Sequence, residues 1–199
     1  MHMKRNSRLF LICLATVGLA LASAPHGNAQ AQRSDTTDLK GSSTVVKERV
    51  AGSIRFPGEQ FLRVTGKVKV INSHTLAFED GTEVELNGTI DAAEPEQKGL
   101  IGDRLYPCGE EAAEFLQKLI GDQPVTCFTG AKSTNRLRGD CFVGEKKLQI
   151  ELVRNGWAIA RHSTMEEWEV IARENKRGLW RGQFVLPERW RNGERLPGE

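Results

Sequence analysis

The chain has 199 residues, of which 39% are hydrophobic and 27% are charged, and this favours one folded domain with flanking segments. The formal net charge of +2 is too small to indicate a nucleic-acid partner by itself. Positive charge is nevertheless concentrated near the C-terminus, in a pattern typical either of a solvated tail or of a contact with a polyanion. The basic residues of that stretch are Arg173, Lys176, Arg177, Arg181, Arg189, Arg191 and Arg195.

The N-terminus has the three parts of a secretory signal peptide. Lys4, Arg5 and Arg8 precede an apolar run over 9–21, and small residues follow that run. The run is shorter than the roughly 20 residues that a membrane-spanning helix needs. The sequence therefore predicts a signal peptide over 1–29, a periplasmic or secreted mature chain, and no stable membrane anchor after cleavage.

Export would place the mature chain in an oxidising compartment, where disulfides persist. Three cysteines remain after the signal peptide is removed, namely Cys108, Cys127 and Cys141. This odd number allows one disulfide and one free thiol, and the spacing alone leaves the pairing open.

The next segments predict a linker followed by short strands. Residues 30–63 are polar, as is typical of a linker or weakly ordered arm. From Val64 onward the chain contains short β-prone runs, and Asp80–Gly81 between two of them strongly predicts a hairpin turn. Five such runs at close spacing favour a small barrel. The runs are VTGKVKVI, HTLAFED, TEVELN, PVTCF and GDCFVG.

Three amphipathic helices are predicted between and after these strands. The first, GEEAAEFLQKLIG, has one apolar face and ends at Gly121, and LQIELVRNG and STMEEWEVIARENKRG are the other two. The order is three strands, a helix, two strands and two helices. This order predicts a mixed α+β domain.

Taken together, several of these segments resemble the thermonuclease, or staphylococcal-nuclease-like, family. The resemblance rests on GKVKVINSHTLAFEDGTEVELNGTIDAAEPE, TNRLRGDCFV, LVRNGWAIA and KRGLW, which occur in this order. It implies a five-stranded OB-type β-barrel packed with three helices over 64–182, followed by a basic tail over 183–199. It also implies a disulfide between Cys127 and Cys141, because both would lie on adjacent strands of that barrel.

The resemblance also implies a phosphodiesterase site. Active members hydrolyse nucleic acids with Ca²⁺, which two aspartates and a backbone carbonyl hold, while a glutamate activates water and two arginines bind the phosphate. The matching positions are Asp91 and the carbonyl of Ala92 for the metal, Glu94 as the general base, and Arg136 as one phosphate-binding arginine.

Two family positions are altered in this sequence. The first metal aspartate corresponds to His74, although imidazole is a poor ligand for Ca²⁺. The first phosphate arginine corresponds to Glu85 or Leu86, and neither residue is cationic. Because one such arginine is worth about 10³–10⁵ in rate, the sequence predicts a nuclease that is weak or inactive with Ca²⁺.

Three interpretations of His74 stay open, and so do three functions. His74 is an exposed remnant of the lost site, a ligand with Asp91 and Glu94 for Mn²⁺ or Zn²⁺, or a pH-sensitive contact. The protein is accordingly a degenerate nuclease, an active nuclease that uses a different metal, or a module that binds nucleic acid or acidic polysaccharide. Segments such as FVLPERWR resemble small exported bacterial members of the family. An exported thermonuclease-like domain of about this size also resembles a protein of succinoglycan (exopolysaccharide) biosynthesis in rhizobia, and this resemblance implies an accessory role there as an alternative.

Overall fold

The structure, a computed structural model, describes residues 45–51, 60–130 and 137–199. The predicted signal peptide over 1–29 and the predicted phosphate ligand Arg136 both lie outside these ranges. Within them, no helix is long and apolar enough to cross a membrane.

Strands and helices alternate along the described part of the chain. The strands are β1 (Val46–Ala51), β2 (Gln60–Gly66), β3 (Val68–Asn72), β4 (Thr75–Phe78), β5 (Glu83–Leu86), β6 (Ile90–Ala92), β7 (Gly99–Ile101), β8 (Arg104–Tyr106), β9 (Val125–Gly130), β10 (Leu137–Val143), β11 (Lys146–Lys147), β12 (Ala158–Ala160) and β13 (Gln183–Phe184). The helices are α1 (Cys108–Ile120), α2 (Leu148–Arg154), α3 (Ser163–Glu174) and α4 (Pro187–Arg191), with a 3₁₀ turn at Gly178–Arg181.

The last strand in the main sheet, β3, continues in the chain directly from the second strand, β2, so the path of pairings closes on itself. Its strand order is β1-β2-β9-β10-β5-β4-β3, with β11 paired to β10. Only Lys67 separates β2 from β3, so one nearly continuous strand pairs with β9 through its first half and with β4 through its second. The β5–β10 pair is parallel and the other pairs are antiparallel. This ring of pairings involves five strand segments, as expected for an OB-type topology.

The five predicted β-prone runs correspond to the joined β2–β3 strand and to β4, β5, β9 and β10. Alternation places one face of each strand in the core, as in β9, where Val125, Cys127 and Thr129 are buried between exposed or half-buried neighbours. The predicted α+β fold is therefore confirmed.

The three predicted helices are all present, and their apolar faces close the core. In α1, the buried side chains of Ala112, Leu116 and Ile120 recur at helical spacing, and α1 packs against β3. Gly121 ends this helix with a positive φ of 56°, a conformation that glycine adopts at little cost. The short helix α4 was not predicted, because its single turn lies within a strongly basic segment.

Two small sheets fix segments that carry functional side chains. In the first, β6 pairs with β12. In the second, β7 lies between β8 and β13, so that the C-terminal segment runs back along the domain. As a result, α4 contacts β6.

Strand β1 occupies part of the segment predicted as a polar linker. It pairs with β2 in an antiparallel hairpin, yet the side chains from Val46 to Arg49 are all exposed. Backbone pairing and ion pairs, such as Lys47 with Asp80 at 2.6 Å, hold this edge strand. Because burial contributes little, the hydrophobic pattern gave no signal for it.

Cys127 and Cys141 face each other across the β9–β10 pair, and their sulfur atoms lie 2.09 Å apart in a disulfide. Cys108 is a free, buried cysteine whose Sγ donates to the carbonyl oxygen of Gln97. Burial raises the pKa of the Cys108 thiol to about 12. This thiol therefore stays protonated and unreactive at neutral pH.

We expect removal of the Cys127–Cys141 disulfide to destabilise the fold by about 3 kcal/mol. The bridge joins residues 14 positions apart, and a crosslink of that length restricts the unfolded chain by about this amount. Urea unfolding with and without dithiothreitol measures the effect, and a Cys127→Ala/Cys141→Ala variant should show no further response to the reductant. Equal midpoints for the oxidised and reduced wild type would contradict the expectation.

Candidate functional site

A cavity of about 620 Å³ opens beside the β3–β4 turn and collects most of the predicted site residues. Its walls come from β3, β4, β5, β6, β10, α4, the connecting residues beside them and the residue after β12. The side chains discussed below that line it are His74, Glu85, Leu86, Asp91, Ala92, Glu94, Arg138, Arg161 and Arg191. The structure thus brings together His74, Asp91, Ala92 and Glu94, all of which were assigned to the site from the sequence.

His74 lies in the turn between β3 and β4 and is half-buried rather than exposed. The buried Ser73 hydroxyl donates to the carbonyl oxygen of Ala93 at 2.5 Å and lies 3.2 Å from His74 Nδ1. Because the only hydroxyl hydrogen is used on Ala93, Ser73 accepts the hydrogen of Nδ1. In the neutral ring this arrangement leaves the lone pair on Nε2.

Burial lowers the pKa of His74 below its ordinary value, and this effect exceeds the opposing influence of the Glu94 and Glu85 carboxylates. The imidazole is therefore neutral at pH 7 and protonates only at a lower pH than a free histidine. A neutral imidazole offers a metal ion a single nitrogen ligand, whereas a carboxylate would offer two charged oxygens.

Asp91 and Glu94 are held by two different local structures. Asp91 is the middle residue of β6, opposite Ile159 of β12. Glu94 begins a turn in which its own N–H donates to Gln97 Oε1 at 3.1 Å, while the N–H of Gln97 donates to the Glu94 carbonyl oxygen at 3.0 Å. Their carboxylates are mostly buried, with side-chain exposures of 11% and 15%.

The guanidinium of Arg191 lies between these two carboxylates. Its Nη1 donates to Asp91 Oδ1 at 2.9 Å and to Glu94 Oε1 at 2.6 Å. The hydrogen bond with Asp91 raises the pKa of Arg191 further above its ordinary value, and Glu94 acts in the same direction. A permanent positive charge therefore joins the side chains predicted as metal ligand and general base.

Arg161 contributes a second cation from the residue that follows β12. Its Nη1 pairs with Glu188 Oε2 at 2.5 Å and lies 4.0 Å from Asp91 Oδ2. Glu188 belongs to α4, as Arg191 does, so α4 places one acidic and one basic side chain beside β6. Asp91 consequently lies near two arginines.

Arg138 of β10 provides the third arginine, and its Nε lies 3.1 Å from Glu85 Oε2. Of the two candidate positions for the missing phosphate arginine, Glu85 faces the cavity and forms this ion pair. Leu86 is only 4% exposed and belongs to the hydrophobic core. An arginine at position 85 could therefore reach the cavity without being buried, whereas an arginine at position 86 would be buried.

The side chains present do not fit Ca²⁺, the cation that the resemblance implies. Calcium takes about six to eight oxygen ligands, whereas the two carboxylates here already bind Arg191 and His74 offers nitrogen. Within the described ranges, no group of three or more His, Cys, Asp or Glu side chains is arranged to hold a metal ion. The alternative Mn²⁺ or Zn²⁺ site of His74, Asp91 and Glu94 is thus not assembled either.

Sequence reasoning missed the arginines that complete the cavity. Arg191 was noted within the basic tail but was not assigned to the site, since 100 residues separate it from Asp91 and no local pattern reports such a contact. Arg161 follows a strand that pairs with β6 and likewise has no motif. Arg138 had a weak signal, because it follows Arg136 at the spacing of two that is typical of one strand face.

Comparison with known proteins supports the resemblance to the nuclease family. Residues 84–182 match the family of staphylococcal nuclease homologues, whereas no curated protein sequence matches the chain. The matched segment includes Asp91 and Glu94 but excludes His74 on one side and Arg191 on the other. Two side chains that distinguish this cavity from the site implied by the resemblance thus come from outside the matched segment. Through residues 84–182, the chain belongs to the staphylococcal-nuclease-like, or thermonuclease, family.

Proposed function

We propose that this protein is a thermonuclease-like protein whose phosphodiesterase site no longer supports Ca²⁺-dependent hydrolysis. The observation that carries the proposal is that a neutral His74 and the carboxylate of Glu85 both line the cavity. The resemblance assigns His74 to the position of a metal-binding aspartate, and position 85 or 86 to that of a phosphate-binding arginine. Asp91 and Glu94 remain beside them as part of the original machinery.

Each change acts against a different part of the reaction. His74 removes a negative charge and two oxygen donors, and this weakens binding of a hard cation. Glu85 places a carboxylate near an incoming phosphate, where the reaction needs a positive donor. The loss of one transition-state arginine alone lowers the rate by about 10³–10⁵.

We expect the purified mature chain to cleave single-stranded DNA and RNA in Ca²⁺ at least about 10³-fold more slowly than an active family member. A fluorescent oligonucleotide assay measures this rate, with Glu94→Gln as the matched control for contaminating nuclease. Comparable turnover in Ca²⁺ that Glu94→Gln abolishes would contradict the proposal. Cleavage that depends on Mn²⁺ or Zn²⁺ and on Glu94 would instead support an active enzyme with a different metal.

A second candidate function, binding of nucleic acid without turnover, is favoured by the three cavity arginines. Arg138, Arg161 and Arg191 each engage carboxylates through a single side-chain nitrogen. Their remaining guanidinium N–H groups make no hydrogen bond to another described residue. These donors are suited to phosphate oxygens, which accept from arginine in pairs.

The same oligonucleotide, titrated without a divalent metal, tests this second candidate. Binding through phosphate contacts should weaken as salt is raised, and Arg161→Ala should reduce the affinity. An exported acidic polysaccharide should be titrated in the same way. Preference for it over the oligonucleotide would indicate the accessory role in exopolysaccharide biosynthesis.

We also propose that the protein acts in the periplasm or outside the cell. The charged and apolar N-terminal segment supports export. The Cys127–Cys141 disulfide is further support, because such bonds persist mainly in oxidising compartments.

A further inference from the structure

The position of Arg191 relative to the carboxylates of Asp91 and Glu94 has a consequence for cation binding. A single nitrogen, Nη1, contacts both Asp91 and Glu94, at 2.9 Å and 2.6 Å. Nη1 therefore lies at the point where the two carboxylates converge. A divalent ion held by the same two side chains would need this point.

Several contacts hold the segment that carries Arg191 against the domain. The fully buried Gln97 donates through Nε2 to the carbonyl oxygen of Val185 at 2.6 Å, just before α4. Beyond α4, Glu199 accepts from Trp190 Nε1 at 2.8 Å and from the Lys98 N–H at 3.2 Å. Arg191 is thus presented from a segment tied down on both sides of its helix.

Charge balance explains why the two carboxylates tolerate their burial together. Two mostly buried acids that share one site repel each other unless a cation lies between them. In the family this cation is a metal. In this chain Arg191 supplies the positive charge, and Arg161 adds a second one near Asp91.

We propose that Arg191 is a built-in substitute for the divalent cation and that it excludes metal ions from the Asp91–Glu94 position. This inference rests on the proposed function and names the residue that makes the site independent of metal. Any phosphodiester that enters the cavity therefore meets a fixed guanidinium rather than an exchangeable ion. Loss of the guanidinium should uncover a latent cation site.

Binding of Mn²⁺ alone, followed by electron paramagnetic resonance, tests the proposal. Arg191→Ala should bind Mn²⁺ at least about tenfold more tightly than the wild type, because it removes a unit charge at ion-pair distance from the ion. Arg191→Gln removes the same charge and keeps a polar side chain, so it carries the test if Arg191→Ala does not fold.

Two matched variants make the result specific. Arg189 lies on the same helix as Arg191, but it pairs with Glu194 at 3.9 Å rather than with a cavity residue. The Arg189→Ala variant should therefore bind Mn²⁺ as the wild type does. Asp91→Asn combined with Arg191→Ala should lose the gained affinity. Equal Mn²⁺ binding by the wild type, Arg191→Ala and Arg191→Gln would overturn the proposal. A gain that survives Asp91→Asn would also overturn it.

The outcome is separable from the hydrolysis assay because the titration contains no nucleic acid. Equal Mn²⁺ binding by the wild type and the Arg191 variants, without hydrolysis, would overturn the role of Arg191 alone. Hydrolysis by the wild type in Ca²⁺ would overturn the proposed function itself.

Discussion

Gly109→Ala is expected to destabilise the protein by about 3 kcal/mol and to displace the turn that carries Glu94. Gly109 is the second residue of α1, and a Cβ atom built there would overlap the carbonyl oxygen of Glu94 and lie 2.7 Å from that of Pro95. Both obstacles are backbone atoms, so no side-chain rotation relieves them. Overpacking of this kind costs about 1–3 kcal/mol and occasionally more.

A competing effect acts in the opposite direction but is smaller. Alanine favours the helical state over glycine by about 1 kcal/mol in a helix interior, and less near a helix end. Gly88→Ala is the matched control, since no atom lies within 4 Å of a Cβ built at that position. Urea unfolding should give a much lower midpoint for Gly109→Ala than for Gly88→Ala. Similar midpoints for the two variants would show that α1 moves away from the turn at little cost.

Gln97→Leu is expected to destabilise the fold by about 2–5 kcal/mol and to loosen the site on two sides. Leucine cannot accept from the Glu94 N–H or donate to the Val185 carbonyl oxygen, as Gln97 does. Each buried polar group left without a partner costs about 1–3 kcal/mol. The first lost bond frees the turn of Glu94, and the second frees the segment that presents Arg191.

Hydrogen exchange provides a local measurement beside the unfolding midpoint. The amide of Glu94 should exchange faster in Gln97→Leu than in the wild type, because its acceptor is gone. Gln117→Leu, on the exposed face of α1, is the control and should change neither quantity appreciably. Unchanged exchange at Glu94 in Gln97→Leu would indicate that the turn is held by its other contacts.

The extent to which the sequence predicted this molecule follows from the range of the interactions involved. The strands and α1 were predictable because alternation in β9 and helical spacing in α1 are local patterns produced directly by burial. Asp91 and Glu94 were predictable because both lie in one short motif after a strand. His74 was located as well, although its burial against Ser73 was not foreseen.

The remaining features depend on contacts that no local pattern encodes. Arg191 reaches Asp91 across 100 residues, and its position depends on the bond from Gln97 to Val185. The edge strand β1 exposes its side chains from Val46 to Arg49 and therefore lacks a hydrophobic signal. Tertiary pairing rather than periodicity determines both features, so they required the structure.

The location of α4 beyond the matched segment also determines the electrostatic potential of the opening. A chain that ended at Gly182 would keep every residue that matches the family, yet it would lose Arg191. Among the described side chains that line the cavity, the acids Glu83, Glu85, Asp91 and Glu94 would then face only Arg138 and Arg161. The formal charge of these lining side chains would change from −1 to −2, so the field at the entrance would oppose the approach of a nucleic-acid backbone more strongly.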